Sequence, residues 1–296
     1  MAKKMLIAAM AILVCMPFVG CKNKAKDNKA ATEKKDSVSA KADFPWDFPT
    51  DFKLKDAEIG QWALAVNSTY NTYVKEGKSL EDAVLSIDRC TIEKMGDKVS
   101  TVAQYEQTRE LPNSLIIPIP KGQKAKLGDV VLTWSTIGST AKRGIVTDAS
   151  NPEKPKICYL DYEYMDDGKG LANKYANVEL EPNSFVVIKS GDWVPGAPVV
   201  FSQKGSWKYG FIINCTKNKV LISGFVSKIS CVERSLCKLI PFDSDIKVGD
   251  DVSAKFVTSL ESGYTVKKVD KKIGRVWVER NGATSVPSII EVMKGL

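Results

Sequence analysis

The stretch PNSLII at residues 112–117 returns as PNSFVV at residues 182–187. Two weaker copies follow further along the chain, and each of the four copies is called an echo. Recurring self-similarity of this kind predicts tandem supersecondary units, and here each unit is expected to end in one copy of the echo. The weaker copies are RSLCKLIP at residues 234–241 and VPSIIEVM at residues 286–293.

A small-residue turn that leads into an apolar run opens each predicted unit. Gly-Asp and Pro-Gly pairs supply the turn chemistry, and the β-branched residues after them favour a strand. The openings are KLGDVVLTW at 126–134, VPGAPVVFS at 194–202 and KVGDDVSAKF at 247–256, with a degenerate one, EIGQWALAV, at 58–66.

Further runs alternate apolar and polar residues with a period of two, which predicts half-buried strands. A glycine stands near the start of three of them, and these three are expected to be equivalent strands. The three runs are RGIVTDA at 143–149, YGFIINC at 209–215 and IGRVWVER at 273–280; two other runs are KICYLDY at 156–162 and KVLISGF at 219–225.

The first unit is the least regular. Ser79 to Asp82 have the spacing of a capping box, which predicts a short helix there. The preceding stretch STYNTYVKEGK at 68–78 is compatible with a helix or with a long loop. The runs VLSIDRCTIEK at 84–94 and VSTVAQYEQ at 99–107 predict a hairpin.

Together these patterns predict a mainly β protein. Units of four or five short strands hide their edges by curling into a small barrel or a tight sandwich. We expect a tandem array of small β-barrels, with a short helix in the first unit. The expected boundaries are 1–20 for a leader, 21–53 for a flexible tether, 54–120 for a divergent barrel-like unit, and 121–190, 191–242 and 243–296 for three regular barrels.

Three pairs of stretches repeat a strand, a loop and a Gly-led strand: GDVVLTW with RGIVTDA, GAPVVF with WKYGFII, and GDDVSAKF with GRVWVER. This pattern resembles the Tudor and agenet group of Src-homology-3-like barrels, over residues 121–296. The resemblance implies a Tudor-like barrel for each of the last three units. In eukaryotic members of the group, a cage of aromatic and acidic side chains holds methylated lysine or arginine, but fold alone does not determine function.

The N-terminus has the pattern of an export signal. Two lysines precede an apolar run at residues 5–19, and Gly20 and Cys21 follow. The run is too short for a membrane-spanning helix, which needs about 20 apolar residues, and it suits a secretory signal. The Val-Gly-Cys ending resembles a bacterial lipobox, which implies that Cys21 carries a diacylglyceryl group, although Phe18 stands where that motif usually has leucine. The alternative is an ordinary secreted protein with an incidental cysteine.

The stretch after Cys21 is polar and rich in lysine, which predicts a disordered tether. Its seven lysines and four acidic residues, with the two leader lysines, account for +5 of the formal net charge of +8. The rest of the chain is only weakly basic, so nucleic acid is not the expected partner. The tether is expected either to lie against anionic headgroups or to act as a solvated spacer.

The chain contains no histidine. This excludes Ser-His-Asp and Cys-His catalysis, and it excludes metal sites that depend on histidine. No P-loop and no GxGxxG string occurs either, so phosphate and dinucleotide binding have no support. We therefore expect no catalytic residue, no metal and no cofactor, in a protein that is not an enzyme.

An acidic and aromatic segment, CYLDYEYMDDGKG at 158–170, is compatible with three interpretations. The first is a solvated hairpin turn. In the second, Tyr159, Tyr162 and Tyr164 face a positive group and Glu163 adds negative charge. The third is a calcium site, although the Asp-Asp-Gly sequence lacks the alternating oxygen ligands of a known loop.

Aromatic residues near strand ends are the other candidate ligand contacts. Trp207 lies in a polar loop, Tyr209 lies in the strand that follows, and Trp134 ends the opening strand of the second unit. For Trp134 and its equivalent Phe201, packing in the core or between units is the alternative. Trp277 lies in an alternating run and is expected in the core.

Five cysteines follow Cys21 in the chain. An exported protein can form disulfides, yet five cysteines cannot all pair within one chain. Cys215 with Cys231, or Cys231 with Cys237, would close a short loop, whereas the alternation with apolar residues favours buried thiols. The five are Cys90, Cys158, Cys215, Cys231 and Cys237.

The expected function is that of a lipid-anchored protein of the bacterial envelope, periplasmic or surface-facing. It would bind an envelope protein, peptide or glycan in the grooves between barrels, without enzymatic activity. Two alternatives come from other classes: a hydrolase of envelope polymers that uses two carboxylates, and recognition of cationic, methylated side chains or of nucleic acid by the barrels.

Overall fold

The computed structural model describes residues 46–81, 83–165 and 170–296. Strands dominate these residues, joined by turns, short 3-10 segments and one seven-residue α-helix, so the predicted mainly β class is confirmed. The predicted leader, Cys21 and most of the predicted tether lie outside the described part of the chain. Inside it, no helix has the length and apolar character needed to cross a bilayer.

The described strands fall into four groups of five, and the same order recurs in each group. The first four strands form an antiparallel meander, and the fifth returns to pair with the first. The first group consists of β1 (Trp62–Val66), β2 (Ile87–Lys94), β3 (Val99–Gln104), β4 (Gln107–Pro112) and β5 (Ile116–Pro118), with helix α1 (Thr69–Lys75) after β1.

The second and third groups repeat this arrangement in chain order. The second group consists of β6 (Val130–Trp134), β7 (Ala141–Asp148), β8 (Lys156–Tyr159), β9 (Val178–Glu179) and β10 (Val186–Ile188). The third group consists of β11 (Pro198–Gln203), β12 (Ser206–Cys215), β13 (Lys219–Ser223), β14 (Ile229–Glu233) and β15 (Cys237–Leu239).

The fourth group is joined to the third. Lys208 in β12 pairs with Ser259 in β17, and this contact makes one ten-stranded sheet of the two groups. The first and second groups are separate five-stranded sheets. The fourth group consists of β16 (Asp251–Phe256), β17 (Ser259–Asp270), β18 (Arg275–Arg280), β19 (Ala283–Ser285) and β20 (Val292–Met293).

Each echo in the sequence occupies the same position, directly before and within the fifth strand of a group. In three groups a 3-10 helix precedes that strand, at Asn113–Leu115, Arg234–Leu236 and Ile289–Glu291. In the second group a turn at residues 182–184 takes its place. The echo therefore encodes the tight return that brings the fifth strand beside the first.

A glycine in the left-handed region opens each group. The φ angles are +80°, +85°, +85° and +90° for Gly60, Gly128, Gly196 and Gly249. Each glycine N–H donates to a carbonyl of the second strand of its group, at 2.7–2.9 Å. Only glycine adopts this backbone without a steric penalty, so the four openings in the sequence mark one recurring turn.

Alanine substitutions at two of these glycines test the contact between the second and third groups. We expect Gly249→Ala to lower the free energy of unfolding by about 1–2 kcal/mol, because the backbone there is left-handed. The space around that position is open, so a steric clash adds nothing to this cost. Gly196→Ala should cost about 1–3 kcal/mol more, since its new Cβ would lie 2.9 Å from Cδ1 of Ile188. Urea unfolding of both variants measures the difference, and equal losses would contradict the close packing.

One predicted equivalence of strands is wrong. The run at 273–280 forms β18, the third strand of its group, whereas the Gly-led runs of the second and third groups form second strands. The second strand of the fourth group is β17, in which Tyr264 takes the position of Gly144 and Gly210, because it pairs with Val252 as they pair with Val131 and Val199. The exposed polar residues of β17 weaken the apolar–polar alternation that would have indicated a strand. Gly274 belongs to the turn before β18, with a φ of +63°.

The helix of the first group also differs from the prediction. Residues 79–81 form a turn in which the Ser79 hydroxyl accepts a hydrogen bond from the Glu81 N–H, and Asp82 lies outside the described residues. The helix is α1, earlier in the chain, and it ends where Gly77 adopts a φ of +64°, as is common after helices. The predicted hairpin is present, because β2 pairs with β3.

The end of the predicted tether is packed against the third group. Trp46 and Phe48 are buried, and the indole Nε1 of Trp46 donates to the Ile229 carbonyl at 3.1 Å. Both side chains belong to the main hydrophobic cluster, which extends through the first three groups and includes Ile290 of the fourth. The aromatic residues of this segment supply the apolar area that the lysine-rich part of the tether lacks.

Candidate functional site

A cavity of about 230 Å³ lies where the four strand groups meet. Ile87 of the first group lines it, with Arg143 and Asp161 of the second. The third group contributes Tyr209–Phe211 and Ser223–Ser227, and the fourth contributes Lys255, Val257 and Thr258. An adjoining cavity of about 570 Å³ shares Asp161, Lys255 and Val257.

Arg143 is the central side chain of this junction. It is buried, and its guanidinium donates to both carboxylate oxygens of Asp161. The same guanidinium donates to the Tyr209 hydroxyl at 2.9 Å. Strands β7 and β12 bring Arg143 and Tyr209 together, so this contact fixes the second group against the third.

Burial and the contacts between Arg143, Asp161 and Tyr209 shift the pKa values of all three side chains. Burial alone raises the pKa of Asp161, but the charge and hydrogen bonds of Arg143 outweigh burial and lower that pKa to about 2. Burial lowers the pKa of Arg143, but the charges and hydrogen bonds of Asp161 and Tyr209 together outweigh burial and raise that pKa. Burial raises the pKa of Tyr209 well above its usual range. Asp161 is therefore ionised at neutral pH, which makes it a poor proton donor.

Lys255 and Glu291 extend the polar network into the fourth group. Lys255 forms an ion pair with Glu291, and its Nζ lies 5.1 Å from the centre of the Tyr209 ring. Glu291 also accepts hydrogen bonds from the N–H and the hydroxyl of Ser288, at 3.0 Å and 2.9 Å. The network therefore connects three of the four strand groups.

Arg275 connects the fourth group to the second. This side chain is buried, and its Nη2 donates to the carbonyls of Tyr159 and Tyr162, at 2.9 Å in both cases. Among the described residues, neither Nε of Arg275 nor Nη1 of Arg143 has a hydrogen-bond partner, and both atoms are buried. A buried donor without an acceptor costs about 1–3 kcal/mol, so each guanidinium keeps unused binding capacity.

Two predicted ligand contacts are in the protein interior. Tyr159 is fully buried, and its hydroxyl donates to the Trp134 carbonyl at 2.7 Å. Tyr209 is buried as well and is hydrogen-bonded to Arg143. A ligand has no access to the ring of Tyr159 in this structure. Tyr209 lines the small cavity, but its hydroxyl is already engaged by Arg143.

Trp134 packs between the first and second groups. Its ring centre lies 5.6 Å from that of Trp62, and the guanidinium of Arg89 lies 5.0 Å from the Trp62 ring and 5.5 Å from the Trp134 ring. This is the packing alternative that the sequence left open. Phe201, which the sequence predicted to be its equivalent, is buried and takes the position of Thr133 in the third group, whereas Ser202 takes that of Trp134.

Tyr162 and Glu163 lie at the edge of the larger cavity. The Tyr162 ring stacks on Tyr175 with ring centres 3.7 Å apart, and its hydroxyl lies 2.6 Å from the Ser135 hydroxyl. Glu163 is exposed. Trp277 is half-buried and meets Tyr164 edge to face, not within the core as expected. Asp166 and Asp167 lie outside the described residues, so the calcium interpretation stays a prediction.

The faces of the candidate rings are covered by cations of the chain itself. Lys142 lies 5.1 Å from the centre of the Tyr162 ring, and Lys238 lies 4.8 Å from the half-buried Trp207. Arg89 covers Trp134, and both Arg143 and Lys255 approach Tyr209. An external cation would have to displace these contacts, which weakens the interpretation of the rings as a cation cage.

The sequence reasoning missed the charged residues that organise the junction. Arg143 and Arg275 both stand beside a glycine in an otherwise apolar run, and both are buried. A charged residue at a position that alternation assigns to the core was the available signal, because such a residue is rarely buried without a partner. Lys255 and Glu291 offered no comparable signal.

The described cysteines are free thiols. Neither Cys215–Cys231 nor Cys231–Cys237 forms a disulfide, and Cys90, Cys158 and Cys237 are buried. Burial raises the pKa of Cys90 to about 12 and the pKa values of Cys231 and Cys237 to about 11. Thiolates are therefore scarce at neutral pH. In the described part of the chain, no cluster of three or more Cys, Asp or Glu residues suits a metal ion.

Comparison with known proteins provides no family assignment. No family model matches the sequence, and no curated protein matches it. The four MBT repeats of Drosophila melanogaster Sfmbt, solved in complex with the peptide RHR(me)KVLR, are similar at 9% identity and a TM-score of 0.16, over 80% of this chain and 88% of that chain. A score this low carries no argument about this protein.

Proposed function

We propose that this protein is a membrane-anchored lipoprotein of the bacterial envelope that binds or scaffolds other molecules without catalysis. The Val-Gly sequence at the end of the predicted leader, with Cys21 directly after it, supports the anchor. The observation that carries the binding role is the cavity where all four strand groups meet. Its one carboxylate, Asp161, is held in an ion pair with Arg143.

We further propose that each strand group is a small barrel and that the four barrels form a tandem array. The recurring strand order and the recurring left-handed glycine support this view. A meander whose fifth strand returns to the first can hide its edges by curling. The grooves between barrels would then be the binding surfaces for an envelope protein, peptide or glycan.

A carboxylate hydrolase is the weaker candidate. Such an enzyme needs one carboxyl group that is protonated near neutral pH and one that is ionised. The pKa of Asp161 is lowered to about 2, and Glu291 is engaged by Lys255 and Ser288. Neither side chain has the surroundings of a general acid.

Recognition of methylated, cationic side chains is also a weaker candidate. The ring faces of Trp134, Tyr162, Trp207 and Tyr209 already have a lysine or arginine nearby. For nucleic acid, the low charge of the chain after the tether gives no electrostatic support.

The anchor is tested by Cys21→Ala in cells that express the full chain. We expect the variant to appear in the soluble fraction after carbonate washing, because it would lack the lipid chains that hold the protein in the bilayer. Cys15→Ala, within the leader, is the matched control and should stay with the membranes. A Cys21→Ala variant that remains in the membrane fraction would disprove the lipid anchor.

A further inference from the structure

The small cavity at the junction carries more positive than negative charge. Lys142, Arg143 and Lys255 line it with one acidic residue, Asp161. Arg143 pairs with Asp161 and Lys255 pairs with Glu291, so the excess positive charge is that of Lys142. Nη1 of Arg143 is buried without a hydrogen-bond partner among the described residues. A site of this composition favours an anion, and guanidinium and ammonium groups bind carboxylates through short, charge-assisted hydrogen bonds.

The rim of the same cavity is apolar and strained. Phe225, Val226 and Val257 are 55%, 52% and 60% exposed, and all three line the cavity. Val226 and Val257 have φ angles of +55° and +53°. A β-branched residue in this region is an outlier, and strain of this kind clusters at ligand-binding sites. Two separate loops thus hold strained, exposed valines at one opening.

We infer that this cavity binds a peptide carboxylate together with the apolar side chain beside it. The cations would hold the carboxylate, and the rim of Phe225, Val226 and Val257 would cover the apolar group. The volume of about 230 Å³ lies below the roughly 300–1,000 Å³ of sites for drug-sized ligands, so the cavity suits about one terminal residue. This inference rests on the proposed binding function and specifies its ligand.

The test is a calorimetric titration of the full-length protein, purified in detergent, with acetyl-Ala-Phe as the free acid and as the amide. We expect the acid to bind about tenfold more tightly, because the amide loses the charge-assisted hydrogen bonds. Hexanoate, an apolar carboxylate without a peptide, should bind about tenfold more weakly than the acid peptide. Equal binding of acid and amide, or no binding of either at millimolar concentration, would overturn the inference, and equal binding of hexanoate would overturn the assignment to a peptide.

A rim variant separates binding from folding. Val257→Asn replaces a strained side chain by one that tolerates the left-handed region. We expect its urea midpoint to stay unchanged or rise, while affinity for the acid peptide falls about threefold. Val248→Asn, at another exposed valine that does not line this cavity, is the control and should keep the wild-type affinity. Unchanged affinity in Val257→Asn would show that the rim is not part of the site.

The release of Cys21→Ala from membranes is measured independently of these titrations. A failure of the proposed membrane anchor can therefore be distinguished from a failure of the proposed ligand class.

Discussion

Arg143→Met is expected to lower the free energy of unfolding by about 3–5 kcal/mol, because breaking a buried ion pair leaves the other charge uncompensated. Asp161 would lose its partner in surroundings where its side chain is 17% exposed, and the buried Tyr209 hydroxyl would lose its donor. The measurement is urea unfolding at neutral pH, with the slope of the transition compared with that of the wild type.

A double variant, Arg143→Met with Asp161→Leu, provides the control for this prediction. Replacing both partners by apolar residues removes the uncompensated charge, so the double variant should be more stable than Arg143→Met alone. A single variant that is as stable as the double variant would contradict the buried pair. Lys124→Met, at an exposed pair with Glu153, should change stability by about 1 kcal/mol at most.

The Arg143–Asp161 pair should also make the stability of the protein depend on pH in acid. The folded-state pKa of Asp161 is lowered to about 2, below its unfolded value of about 3.9. Its contribution to stability is therefore fully present above that unfolded value and is lost as the pH falls through about 2. The double variant should lose less stability than the wild type as the pH falls, because it has no carboxylate at position 161. If the wild type and the double variant show the same dependence of stability on pH, Asp161 is not the source of the acid-dependent loss.

Arg275→Met should lower the free energy of unfolding by about 3 kcal/mol, because one buried and one partly buried carbonyl lose a charged donor. These are the carbonyls of Tyr159 and Tyr162, and hydrogen bonds to charged groups contribute about 1.5–3 kcal/mol each. The loss of the unpaired Nε of Arg275 offsets part of this cost. Urea unfolding again measures the effect.

Arg280→Met is the matched control, because Arg280 ends the same strand β18 that Arg275 begins. Arg280 is partly exposed and pairs with Glu261. Surface ion pairs of this kind contribute about 0–1 kcal/mol, so the control should remain close to wild type. If both variants lose the same stability, Arg275 does not have the connecting role that its buried hydrogen bonds indicate.

Much of the fold was predictable because its signals are local. The echo at 112–117 and its copies specify a tight return and a short strand, and the glycines at 128, 196 and 249 specify left-handed turns. These features depend on the chain within a few residues. The exceptions were equally physical: β17 carries many exposed polar residues, so its alternation was weak, and Ser79 caps a turn where a capping box predicted a helix.

The candidate site was far less predictable, because its residues are remote in sequence. Tyr159, Tyr162 and Glu163 were singled out from one acidic, aromatic segment, yet Tyr159 is buried and Tyr162 stacks on Tyr175. Composition suggested an aromatic site, whereas the structure has a junction of buried charges. Which face of a strand is covered by a neighbouring sheet depends on packing between groups, and that information is not local.

By itself, the sequence determined the β class, the recurring turn and echo, and the absence of histidine chemistry. Each of these depends on residue type and short spacing alone. Only the tertiary structure decided that Arg143, Tyr209 and Lys255 meet, and that Asp161 and Glu291 neutralise part of their charge. Packing of the strand groups against one another brings these distant residues together, excludes water from them, and so makes their charges the organising feature of the protein.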